Sequence, residues 1–511
     1  MKRRRKILTT VVVLIILVAI VPVIRHFQLR AARNAYVAEL KAKGEPMELA
    51  LIIPPPIPPD QNSAETFREA AALFKNNPTL LTTNYFYSGM EIVAPGRAAI
   101  ITRQPDLRDD TGTNSWREFQ AAVGQNKEAF ALLRQIMGKP NFDFGVHYDR
   151  GIGNLDYTNL NLAETKSAVM RLGTAALSGL HEGDVAAATE NVRTMMAIAN
   201  AVGGERLEIS ELVSLALVAI TLPDTWEILQ TPHVTDQQLA ALQKDWASLE
   251  FFHSMESAFE LERASRLITV NEWRGLNSEF SRQLLDPSLV TWTPVPELSA
   301  LDRLKIKSRV FRWRFWWSYP DEIRLLKSDQ LMLEALRAAQ TNDAFFSIQS
   351  ELQSNVTRFS IPTNEDKYFW FSDPRNVNLH FALSQSIESL PKTFVRVTKI
   401  ETSRRMVVAA IALKRYHLKH DAYPPNLAAL TPDFLSEVPR DSIDGQPLRY
   451  RLNADGTLLL YSIGDDGKDD GGDATPPEGV KSIQWQRGRD WVWPQPATAE
   501  EIRKFYDNPP K

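Results

Sequence analysis

Cysteine is absent from all 511 residues. That removes disulfide staples, thiolate zinc sites and cysteine nucleophiles together, and it leaves the compartment open. Histidine is scarce, at eight residues, and none sits in a recognised ligand pattern. HExxH, GxSxG and GxxxxGK[ST] are all missing, so zincin, α/β-hydrolase and P-loop chemistries have no support in the sequence. A dominant charge is lacking too: 59 basic residues face 62 acidic ones, a net of −3. Nothing global therefore draws nucleic acid, and no nucleic-acid partner is expected. The chain is 44% apolar and 24% charged, which excludes wholesale disorder. Its length exceeds one hydrophobic core; at ~150 residues per domain it suggests roughly three folded units.

What is present begins at the N-terminus. Lys2, Arg3, Arg4, Arg5 and Lys6 precede Ile7 to Ile24, 18 uncharged and mostly apolar positions. As a helix this run is about 27 Å long, close to a bilayer's hydrocarbon core. The positive charge ahead of it is denser than Arg25, Arg30 and Arg33 behind, which places the tip in the cytoplasm and the bulk outside it. A cleaved signal would need small residues after the apolar core, but RHFQLRAAR follows, so the anchor is read as retained. No other stretch reads as membrane-spanning. The expectation is a bacterial inner-membrane, single-pass protein touching the membrane through residues 7–24, with its bulk periplasmic.

Five regions follow from the pattern: a basic tip and anchor (1–30), a stalk and proline-rich linker (31–62), a mainly helical body (63–394), an α+β module (395–475) and a Trp/Pro-rich tail (476–511). Pro54, Pro55, Pro56, Pro58 and Pro59 stop any helix and favour an extended strap. In the body, Val169, Leu172, Ala176 and Leu180 fall on one helical face, then Val185, Ala188, Val192, Met195 and Ala199. Gly183-Asp184 and Gly203-Gly204 separate the helices, and Thr235 to Gln238 fits a capping box. The fold class expected is mainly α, a helical-hairpin array with a small α+β end. Residues 301–317 interleave Arg303, Lys305, Lys307, Arg309, Arg312 and Arg314 with Phe311, Trp313, Phe315, Trp316 and Trp317. Two readings stand. The basic groups can meet lipid headgroups with the indoles at the boundary. More commonly, the aromatics pack inward under arginine stems. A loop is expected at 362–376.

The module opens with a helix bearing Met406, Ala410, Leu413 and Tyr416 on one face, ended by Pro424-Pro425. PLRYRL and TLLLYSI, joined by NADG, read as a β-hairpin. The ordered elements are Tyr423-Pro424, Leu427 and Leu430, Val438-Pro439 and Asp441, Asp444-Gly445 and Pro447, Tyr450, and Tyr461-Ser462-Ile463-Gly464 followed by Asp466-Gly467. This stretch, about 397–473, resembles the globular part of the major pseudopilins of type II secretion systems. The pilin-type processing site and continuous spine helix are missing, so pilin processing and polymerisation do not carry over. Five carboxylates (Asp465, Asp466, Asp469, Asp470 and Asp473) crowd one loop. They are either a solvated acidic turn or a calcium loop, since calcium takes about 6–8 hard oxygen ligands. The resemblance implies calcium held by aspartates and main-chain carbonyls. Asp466 matches by context, Ile463 offers a carbonyl, and the second carboxylate is Asp469, Asp470 or Asp473.

For catalysis, His253, Glu256, Glu260 and Arg263 share a helical face, which reads as a metal or acid/base row, or more commonly as an ion-paired edge. His417 and His420 near Asp421 form no recognised pattern. The expectation is a non-enzymatic envelope scaffold or binding protein with an envelope protein as partner. The alternatives are an accessory of a type II secretion or pilus-like machine, and an exported hydrolase using carboxylates of the body.

Overall fold

A computed structural model describes residues 2–76, 89–109, 112–151, 157–275, 300–341, 344–360, 387, 389–479 and 484–507. The loop expected at 362–376 lies outside the described residues. Those described are mainly helical, with small sheets.

Helix α1 (Lys2–Ala42) joins the basic tip, the apolar run and the expected stalk in one helix. The proline strap follows, and then α2 (Ala64–Asn76). Short strands β1 (Glu91–Ala94), β2 (Arg97–Ala99), β3 (Leu107–Asp109) and β4 (Gly112–Asn114) interrupt a body expected to be helical. At three or four residues each, they are too short for alternation to reveal them. Helices α3 (Trp116–Gln125) and α4 (Lys127–Gln135) complete this part.

The body is built on α5 (Leu162–Glu182), α6 (Val185–Gly203) and α7 (Glu208–Gln230). The two glycine breaks fall where the sequence puts them. Asp184 caps α6 by accepting from the Ala187 N–H at 3.0 Å. Helix α8 (Asp236–Ala247) starts with the expected capping box of Thr235 and Gln238. Helix α7 corrects one expectation. Among the described residues it is long and apolar enough to cross a membrane, but 67% of its apolar window is buried inside the protein. With apolar residues spread around its circumference, it is a core helix packed against α5 and α6.

Helices α9 (Phe251–Trp273), α10 (Ala300–Arg312) and α11 (Ser318–Thr341) follow, a π turn at Trp313–Trp317 linking the last two. The aromatics of this segment divide. Trp313 is buried and donates to Asp321 Oδ2 at 3.0 Å, whereas Phe311 is exposed. Helix α12 (Phe345–Ser360) precedes α13 (Leu390–His420), which ends at Asp421 in the left-handed region.

The hairpin of β5 (Arg449–Leu452) and β6 (Leu458–Ser462) forms as expected, in register Arg449↔Tyr461 to Leu452↔Leu458. The tail supplies β7 (Trp491–Val492) to β6 and β8 (Gln495–Pro496) in parallel to β2, then α14 (Ala499–Asp507). Trp491 and Trp493 are buried and Trp485 packs against the same core. One apolar cluster runs from α2 through α5–α9 to α13 and the hairpin. Phe345 stacks on Phe394 of α13, and Gln243 of α8 donates to the Phe434 carbonyl at 2.7 Å. The terminal module thus shares its helix with the body's core.

Candidate functional site

The α6–α7 turn carries two buried acids, Glu205 and Glu211, on either side of Arg206. The Arg206 guanidinium donates to the Ile52 carbonyl at 3.3 Å, drawing the proline strap over the turn. Asn62 fastens the strap's far end, exchanging hydrogen bonds with the Asp143 backbone at 3.2 and 3.1 Å. Between strap and turn lies a cleft of about 340 Å³, walled by Pro54, Pro55, Phe142, Gly203, Glu211 and Ser254, with His253 exposed at its rim. That is near the lower end for small-molecule sites.

Glu211 is the unusual group here. Its carboxyl lies flat against Gly203: a Cβ there would sit 3.3 Å from both oxygens. Its Oε1 is buried with no hydrogen-bond partner. Burial pushes its pKa up to about 8, with Arg206 opposing. A carboxyl that is mostly protonated at neutral pH offers one O–H donor and one acceptor. This suits an uncharged ligand with hydroxyl or amide groups. Glu205 is also pushed up by burial, to about 7, but is occupied, accepting from Tyr148 Oη at 3.1 Å and the Phe144 N–H at 3.4 Å.

A second pair of acids braces the N-terminal strands. Asp224 accepts from the Gly89 N–H at 3.2 Å; Glu227 accepts from the Ile101 N–H at 2.6 Å, the Met90 N–H at 3.3 Å and Thr102 Oγ1 at 2.9 Å. Burial raises Asp224 to about 7 and raises Glu227 as well.

The His253 row proves to be an ion-paired edge. Glu256 and Glu260 lie 2.5 and 2.7 Å from Arg337, which also holds Glu45; Arg263, fully buried, reaches Glu45 at 2.7 Å and Gln330 at 2.6 Å. For Glu45, burial raises the pKa, but hydrogen bonds from Arg337, Arg263 and Gln330 outweigh it and hold it at about 2. His417 lies against Tyr423 and His420 against Tyr416.

The terminal aspartates spread outward. Asp465 pairs with Lys399 at 2.7 Å, Asp469 accepts from Tyr461 Oη at 2.9 Å, and Asp473 lies 3.8 Å from Arg489. Asp466 accepts from the Lys468 N–H at 3.0 Å, and the Asp470 carboxylate has no partner among the described residues. Two buried aspartates outside the acidic run organise it. Asp490 accepts from the N–H groups of Gly472 at 2.7 Å, Asp473 at 3.2 Å and Asp470 at 3.4 Å. Asp441 accepts from Ser462 Oγ at 2.9 Å and the N–H groups of Ile463 and Ile443, both at 3.0 Å. Arg449 bridges Asp441, Asp444 and Asp469. Gly467, at φ +67, meets Phe346 of α12 so closely that a Cβ would lie 2.2 Å from its ring. No group of three His, Asp or Glu side chains that could hold a metal occurs among the described residues. A calcium site here would rest on fewer carboxylates completed by main-chain carbonyls, which is the donor set the resemblance implies.

Sequence reasoning missed Glu211, Asp224, Glu227 and Asp490. A lone acid inside an apolar helical run was the available signal for the first three. No family model, curated protein or solved structure matches this chain.

Proposed function

We propose that the chain is a single-pass, membrane-anchored binding and scaffold protein of the bacterial envelope, with its tip cytoplasmic and its bulk outside the cytoplasm. The observation that carries this reading is the union of anchor and body. Helix α1 runs on from the apolar segment without a break and docks on α11, Arg33 meeting Glu322 at 2.6 Å. Glu322 is buried and also takes Arg274 at 2.5 Å, so a body held this way keeps a fixed pose above the membrane. The strap-covered cleft is the ligand face, and Glu211 its recognition group for an uncharged polar molecule. The hydrolase alternative loses its best residues, since Glu256 and Glu260 are engaged by Arg337. At the far end we propose calcium as a stabilising ligand of the acidic loop. A role beside a secretion or pilus-like machine rests on the resemblance of 397–473 alone.

The test is topological. A phosphatase that works only outside the cytoplasm, fused after Lys511, should be active in a bacterial host. Activity solely from a cytoplasmic reporter at the same position would reverse the orientation and remove the proposal.

A further inference from the structure

Helices α1 and α11 ascend side by side. The His26 ring stacks on Phe315 with centroids 4.7 Å apart, and its Nδ1–H donates to the Phe315 carbonyl at 2.8 Å. Seven residues on, Arg33 meets Glu322, and beyond that Leu40 packs with Leu326. Advancing along one helix advances along the other, so the two run parallel. Moving backward from Phe315 therefore leads toward the membrane end of α1, and that segment is α10.

Helix α10 turns an apolar stripe outward. Leu301, Leu304 and Phe311 are 61%, 65% and 58% exposed. At about 100° per residue they share an arc of roughly 80°. Val310 and Trp313 mark the opposite, buried side. By helical position Lys305 and Lys307 flank the stripe, and the helix carries five basic residues against Asp302. On α1, Val21, Val23, Ile24 and Phe27 are exposed just before and beside the His26 docking point. An apolar stripe with basic flanks, leading into the π turn on which α1 docks just past its apolar run, has the chemistry of a segment lying in the headgroup layer.

We propose that α10 docks on the membrane surface, its Leu301–Leu304–Phe311 stripe at the boundary of headgroups and acyl chains and the flanking Lys305 and Lys307 on anionic headgroups. The proposal rests on the membrane-anchor reading and adds a second contact that fixes the body's tilt.

The absence of cysteine makes the test clean. Single variants Val21→Cys, Leu304→Cys, Phe311→Cys and Leu418→Cys of the full chain are spin-labelled and reconstituted in vesicles of phosphatidylcholine, with and without phosphatidylglycerol. Collision with oxygen is compared with collision with a water-soluble nickel chelate. Labels at 304 and 311 should favour oxygen as the label at 21 does, several-fold more than the label at 418, an exposed site on α13. Phosphatidylglycerol should deepen the labels at 304 and 311, and K305Q/K307Q should abolish that deepening. Aqueous labels at 304 and 311 with a lipid-exposed label at 21 overturn the docking alone. An aqueous label at 21 overturns the anchor as well. A label at 304 shielded from both reagents means that protein, such as a second copy, covers the stripe, and also overturns the proposal. Equal depth in both vesicle types overturns the anionic contact.

Discussion

The acids of α7 and the acids of the terminal loop make an instructive pair. Helix α7 and its approach carry Glu211, Asp224 and Glu227 scattered among apolar residues, each buried. The loop after β6 packs five aspartates into nine positions, most of them exposed. Density of charge along the chain thus says little about what a carboxylate does. Burial and backbone partners decide it, because a desolvated acid must be hydrogen-bonded or protonated while a solvated one need be neither.

The largest break in that comparison should come from Glu227→Ala. It leaves the buried N–H groups of Ile101 and Met90 without an acceptor and should cost about 3 kcal/mol, read as a lower denaturation midpoint of the full chain. Asp470→Ala in the loop should cost less than about 0.5 kcal/mol. Equal losses would erase the distinction. Calcium sharpens the loop's side: an ion that binds only the folded chain at a hundredfold excess over its Kd stabilises by about 2.7 kcal/mol. The full chain should melt higher in calcium than in chelator, and Asp466→Asn should remove the difference. Identical melting of the unmodified chain would remove the ion.

Acidity offers the next contrast, and the signs are opposite. Glu211 is raised to about 8 in the folded chain from an ordinary 4.5. Its contribution is fully present below about pH 4.5 and is lost as pH rises toward 8. Stability should therefore fall across that window, by at most about 1.4 kcal/mol per pH unit from this group, and Glu211→Gln should flatten the slope. In the loop, hydrogen bonds from Thr475 lower Asp473, so its contribution is present above the ordinary carboxylate range and is lost on acidification. A pH–stability profile unchanged by Glu211→Gln would show that the acid is not held protonated.

Legibility in the sequence followed the same divide. Periodicity exposed α5 and α6, the capping box exposed α8, and NADG between β-type runs exposed the hairpin, since each is a local pattern over consecutive residues. Strands β1–β4 were too short for such a pattern, and β8 finds β2 across most of the chain length. The cleft needs Ile52, Gly203, Arg206 and Glu211, brought together by the strap, and no local spacing encodes that meeting. The acidic run was conspicuous, yet the residues that shape it, Asp441 and Asp490, lie outside it.

The smallest expected effect is the loss of an exposed ion pair beside the terminal loop. Lys399 and Asp465 meet at 2.7 Å, but the aspartate side chain is 52% exposed. Water and salt already screen such a pair, so Asp465→Asn should cost about 0.5 kcal/mol or less, and about 0.15 M salt or more should erase most of that. Lys399→Ala should cost slightly more in either condition. The ammonium lies 5.1 Å from the centre of the buried Trp491 ring, a contact that survives loss of the carboxylate and that salt screens less. Arg33 and Glu322 are the counterpart in the body, with Glu322 only 1% exposed. Arg33→Ala should therefore be the more damaging change at every salt concentration, because it removes one of two arginines from a carboxylate that water cannot reach. A salt-sensitive loss at Arg33 matching that at Asp465 would mean that the junction of α1 and α11 is as open to solvent as the terminal loop.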